Sequence, residues 1–153
     1  MSEIEQYIEY LKYEKNYTDN TISSYKRDIE KFYAFLGDKG IDVVDVNVQV
    51  IRDFISSLLE RKITKTTCCR ILSSLRSYFA FLKRKNIINE NCLLYISSPK
   101  KEIRYPEALY FEQIEKLINE NSKRDDKLRD RDQAIIELLY ASGVRASELV
   151  NIK

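Results

Sequence analysis

The chain has no histidine, and its 153 residues include only three glycines, two prolines and three cysteines. Without histidine a zinc site loses its commonest nitrogen ligand. Cys68, Cys69 and Cys92 form no C-x-x-C pair either, so no metal site is expected. Adjacent cysteines bridge only with strain, which argues against a disulfide scaffold and for a reducing compartment. So few glycines and prolines leave too few turns for a sheet of short strands and favour long helices. No apolar run approaches the ~20 residues of a membrane span. Met1 to Leu11 carries Glu3, Glu5 and Glu9, unlike a signal peptide. These absences describe a soluble, cytoplasmic protein with no membrane partner.

One absence is local. From Arg61 to Asn89 there is no acidic residue, while Arg61, Lys62, Lys65, Arg70, Arg76, Lys83, Arg84 and Lys85 are basic. The formal charge of the whole chain is only +2, so the remainder is net acidic. A compact basic segment in an otherwise mildly acidic protein suggests a surface for a polyanion. The plainer reading is a solvated helix face.

What is present is helical periodicity, with enough apolar residues (44%) to build a core. Ile4, Tyr7, Ile8 and Leu11 mark a first helix. Thr18 is placed to cap a second, with Ile22, Tyr25, Ile29, Phe32, Tyr33 and Leu36 inward and Gly37 and Gly40 at its end. A third follows Asn47 and buries Ile51, Phe54, Ile55, Leu58 and Leu59. A fourth runs from about Thr66 to Lys85 over Cys68, Ile71, Leu72, Leu75, Phe79 and Leu82. The stretch Ser97 to Pro106, with both prolines and mixed charge, reads as a linker. Beyond it come a short helix on Ile114, Leu117 and Ile118, an apolar helix from Ala134 to Tyr140 stopped by Gly143, and the start of another from Arg145 to Val150. About 47 residues cannot bury so apolar a segment alone, so the chain is expected to end inside a second domain. The division expected is 1–97, a linker at 98–106, and 107–153.

Opposite the apolar stripes lie two polar faces. On the second helix it is Asn20, Ser24, Arg27 and Lys31, with Thr21 beside them. On the fourth it is Thr66, Arg70, Ser73, Ser74, Ser77 and Arg84, flanked by Lys65 and Arg76. Small hydroxyl residues let a helix approach the major groove, and long cations reach phosphates and guanine edges. An ordinary solvent face would also be polar, but it would mix in Glu and Asp and favour better helix formers than serine. Phe81 also falls outward and is expected to pack on a neighbour. The eleven tyrosines sit mostly at or beside core positions, which makes stacking platforms for single strands the weaker reading.

Arg129-Asp130-Arg131-Asp132-Gln133-Ala134 through Leu138-Leu139-Tyr140-Ala141-Ser142-Gly143-Val144-Arg145-Ala146-Ser147-Glu148-Leu149 resembles the region around the first active-site arginine of tyrosine site-specific recombinases, the phage-integrase family. Ser142 and Val144 replace a usual threonine and leucine. Tyr17 to Ile29 resembles that family's second helix and Arg70 to Leu82 its fourth. Asn91-Cys92-Leu93 stands where Asn-Pro is common. The resemblance implies an all-α chain: a four-helix SAM-like core-binding bundle, then the first helices of a mixed α/β catalytic domain cut short. It implies double-stranded DNA as partner, tetramers of the full-length protein on two DNA sites, and a fragment monomeric off DNA. The first helix starts right after Met1, which fits the simpler Xer-like architecture without an arm-binding domain.

By the same resemblance Arg145 is a catalytic residue, its guanidinium stabilising charge on a phosphate attacked by a tyrosine, with Glu148 one turn along holding the fork. No cofactor and no metal are implied, because a 3′-phosphotyrosyl link preserves the bond energy for rejoining. Lys100 joins the DNA-binding set. The family's His-x-x-Arg motif is absent, since the chain has no histidine, so DNA binding without cleavage is expected. The alternatives are a stand-alone DNA-binding regulator and a helical protein–protein adaptor.

Overall fold

Helix boundaries follow the hydrogen-bonding side chains beside them. In the computed structural model, which describes residues 2–100 and 107–152, Ser2 Oγ accepts from the Glu5 amide and Glu5 accepts from the Ser2 amide, opening α1 (Glu3–Glu9). A wider π-helical turn, Tyr10–Glu14, extends it. Thr18 caps α2 (Asp19–Lys39), Asn47 caps α3 (Val48–Glu60) and Thr64 caps α4 (Lys65–Arg84). Gly40 ends α2 in the left-handed region at φ 64°, whereas Gly37 lies inside the helix and does not end it. Two 3₁₀ turns, Val43–Asp45 and Cys92–Tyr95, fill the connections. Then come α5 (Phe111–Ser122), α6 (Arg129–Ser142), ended by Gly143 at φ 64°, and the single turn α7 (Ala146–Leu149). Among the described residues there is no strand, and no helix is long and apolar enough to cross a membrane. The proposed linker residues 101–106 lie outside the described residues.

The chain divides into two compact units, Met1–Ile103 and Arg104–Lys153. The first is a bundle centred on α4. Ile29, Phe32 and Leu36 of α2, Ile51 and Phe54 of α3, and Ile71, Leu72, Leu75, Phe79 and Leu82 of α4 are all buried. Phe32 lies edge-on between Phe54 (5.1 Å between ring centroids) and Phe79 (5.9 Å), joining three helices at one point. Tyr7, Tyr10 and Phe81 stack where α1 and its π-turn cross α4. Phe81 is thus buried against a neighbour, as expected. A hydrogen-bonded chain adds a polar tie, with Tyr78 bonded to Tyr33 (2.8 Å) and Tyr33 donating to Glu3 (3.1 Å).

The single-stripe reading of α4 is too narrow. Half of its residues are buried, among them Cys69, Ser74, Tyr78 and Phe81. The reason is its place in the bundle. It meets α2 and α3, the π-turn through Phe81, and the exit segment, where Ile88, Leu93 and Ile96 are also buried. Leu59 of α3, expected inward, is exposed.

The second unit is held differently. Asn121 is its only buried residue among those described, and its amide donates to the Arg129 carbonyl (3.0 Å) and to Gln133 (2.9 Å) across the α5–α6 turn. Arg124 adds bonds to Asn121, Asp126 and Asp132. Many of its large apolar side chains, Leu109, Tyr110, Phe111, Leu117 and Tyr140 among them, are exposed.

Candidate nucleic-acid interface

Helices α2 and α4 lie side by side in the first unit, so their polar faces border one surface. Where they meet, Ser24, Arg27, Asp28, Glu30, Lys31, Ala34 and Arg70 line an open cleft of about 530 Å³. Three cations therefore converge there, two from α2 and one from α4. Glu30 is drawn off by Lys26 at 3.9 Å, one turn back on its own helix. Arg27 is steadied along α2, its Nε donating to the Ser23 carbonyl (3.3 Å) and its Nη2 to Ser24 Oγ (3.4 Å). Lys31 is exposed. Three cations against the two carboxylates Asp28 and Glu30 leave the cleft net positive, which suits a phosphate chain.

Arg70 has a partner that sequence reasoning missed. Its Nη1 pairs with Oδ2 of Asp28, a carboxylate only 1% exposed, while its own side chain stays half exposed. Ser74 Oγ donates to the same Oδ2 at 2.7 Å. A signal for this was available. Asp28 stands among Tyr25, Ile29 and Phe32 at helical spacing, on the inward face, where a carboxylate requires a cation across the interface.

Other expected contacts are placed elsewhere. Ser74 is fully buried and its hydroxyl faces α2, so it is removed from the DNA-contacting set. Arg76 turns to the exit segment, with Nη2 donating to the Ile96 carbonyl (2.6 Å) and Nη1 to Ser98 Oγ (2.9 Å). Arg84, about 21 Å along the helix from Arg70 at 1.5 Å per residue, lies 4.1 Å above the Tyr10 ring and bonds Glu14. Neither of these guanidiniums joins the cleft. At the helix starts, Asn20, Lys65 and Thr66 are exposed, and Thr21 is half-buried with its hydroxyl 3.0 Å from that of Thr18. Ser73 is exposed and donates to the Cys69 carbonyl, Ser77 is half-buried, and Lys100 is exposed.

In the second unit Arg145 caps α7. Glu148 accepts from its amide (2.8 Å) and from its Nη1 (2.9 Å), and these bonds hold the Glu148 carboxyl below its ordinary range. The Arg145 side chain is 81% exposed, which leaves the rest of its fork open to an anion.

The sequence matches a family profile described as "Phage integrase, N-terminal SAM-like domain" over residues 4–86, more than half of the chain. It is also similar to curated proteins named tyrosine recombinase XerC. Identity is 41% to that of Bacillus pumilus over 148 residues (96% of this chain, 48% of the relative), and 41% to that of Anoxybacillus flavithermus (96% and 49%). It is 36% to that of Listeria monocytogenes serotype 4b (97% and 50%). The chain spans about half the length of these relatives.

Proposed function

Because this chain belongs to the phage-integrase family through an N-terminal SAM-like domain, we propose that its first unit grips duplex DNA for site-specific recombination. The observation that carries this reading is the convergence of Arg27, Lys31 and Arg70 on one cleft between α2 and α4. Asn20, Thr21, Ser24, Lys65, Thr66 and Ser73 extend the surface along the two helices, with Ser77 at its margin and Lys100 beyond it. Backbone phosphates supply the affinity, and the hydroxyl and amide side chains supply close approach. Residues 1–97 form the clamp, 98–106 the linker, and 107–153 the start of the catalytic domain.

In that second part Arg145 would touch the scissile phosphate. Attack by a tyrosine builds negative charge on nonbridging oxygens, and a guanidinium donates two hydrogen bonds there without losing its proton. Glu148 acts through Arg145 as a positioning residue. The whole protein would join DNA strands through a phosphotyrosyl link, as a tetramer on two sites. These 153 residues hold the arginine without any histidine and should bind without cutting.

A fluorescence-anisotropy titration of the chain into labelled half-site and shuffled duplexes at two salt concentrations tests the reading. Arg27→Ala and Lys31→Ala should each weaken binding and reduce the salt slope by about one. Arg70→Glu is a poor probe, since it sets a second carboxylate against Asp28. A nicked duplex run in parallel should yield no covalent adduct. A folded chain that fails to bind at low salt would sink the proposal and favour a protein–protein adaptor.

A further inference from the structure

We propose that Asp28 is a positioning residue for DNA recognition, with Ser74 holding it and Arg70 carrying its effect to the ligand. The inference rests on the DNA-binding reading above. Asp28 is buried on α2, and its Oδ2 takes both the Arg70 guanidinium and the Ser74 hydroxyl from α4. Ser74 is fully buried, and Asp28 Oδ2 at 2.7 Å is nearer to its hydroxyl than the Ile71 carbonyl at 2.9 Å. Among the described residues the guanidinium of Arg70 donates through Nη1 alone, and the rest of its planar fork is free on a half-exposed side chain that lines the cleft with Arg27 and Lys31. A free arginine loses much rotamer freedom on docking. One pinned at Nη1 has lost it already, and its remaining donors meet a phosphodiester oxygen or a guanine edge in fixed geometry.

The charge of Asp28 gives the proposal a sign. Removing a carboxylate near a polyanion tightens binding if only charge matters. If Asp28 positions Arg70, the same change weakens binding. Asp28→Asn keeps the size and an acceptor for Ser74, so it isolates the charge.

The experiment is a double-mutant cycle on the intact chain, with Asp28→Asn, Arg70→Gln and the pair titrated into labelled duplex, and thermal unfolding run on each. Asp28→Asn is expected to weaken binding about tenfold, the scale of one charged hydrogen-bonding contact. In the Arg70→Gln background it should have no such effect. A structural role alone would give equal losses in both backgrounds. If Asp28→Asn does not fold, Ser74→Ala, which removes one of the two holds, should weaken binding in the same Arg70-dependent way. Equal or tighter binding by a folded Asp28→Asn overturns the proposal while leaving the DNA reading intact. Lys31→Ala, which does not touch Asp28, separates the two: if neither it nor Asp28→Asn changes affinity, the DNA face itself is wrong.

Discussion

A guanidinium on a helix surface goes to whichever strong acceptor it can reach, and the three arginines of α4 reach different ones. Arg70 finds the buried Asp28, Arg76 the Ile96 carbonyl, and Arg84 the Tyr10 ring. Only Arg70 stays on the cleft, so charge counted along the sequence overstates what the face presents. Buried phenols make a second residue-level point. Burial pushes the Tyr33 hydroxyl up to about 12 from its ordinary 10.0, and Tyr78, bonded to it, is raised further by burial. Both stay neutral in the fold, while an unfolded chain ionises them from about pH 10. Their contribution is therefore complete below pH 10 and is lost as pH rises through 12. Urea midpoints should hold steady from pH 7 to 9 and fall by pH 11. The double variant Tyr33→Phe, Tyr78→Phe should show a shallower fall, and an equally steep one would assign the loss to other groups.

At the scale of the element, α2 and α3 end through residues with positive φ, Gly40 at 64° and Lys62 at 58°. A Cβ at Gly40 would meet nothing within 4 Å, so any cost of adding one lies in the backbone. Gly40→Ala should lose about 1 kcal/mol and Lys62→Gly should gain up to about 1 kcal/mol, read as opposite shifts of the urea midpoint. Same-sign shifts would contradict this account. The helices of the bundle were legible in the sequence because Thr18, Asn47 and the apolar spacing of α2 to α4 are local signals. The burial of Cys69, Ser74 and Tyr78 was not legible. It depends on how many neighbours surround α4, which a projection with one wet and one dry side leaves out. Asp28 was overlooked for the same reason, since its partner lies 42 positions away on another helix. Arg145 and Glu148, three residues apart, were paired from the family resemblance of the stretch around them, and the short spacing puts them within reach.

At the scale of the whole molecule, the two units differ in how they are built. The first holds all of the buried apolar side chains among the described residues, while the second relies on Asn121 and surface ion pairs around Arg124. Exposed ion pairs contribute little, so the second unit should open far more readily. Hydrogen exchange followed by mass spectrometry should find strong protection in α2 and α4 and exchange near the free-chain rate in α5 to α7. Comparable protection in both would show that exposed apolar residues such as Phe111 and Leu117 find cover in solution. The tie between α2 and α4 also constrains how the bundle could be given a new target. Losing Arg70 costs the most stability there, because it leaves a carboxylate only 1% exposed without its cation, whereas Arg70 is itself half exposed and Ser74 has the Ile71 carbonyl as a second acceptor. Random libraries opened at Asp28, Arg70 and Ser74 would therefore include many destabilised members. Diversity is tolerated at Asn20, Lys65, Thr66 and Ser73, whose side chains are exposed, and it is there that new specificities can be selected without dismantling the scaffold that displays them.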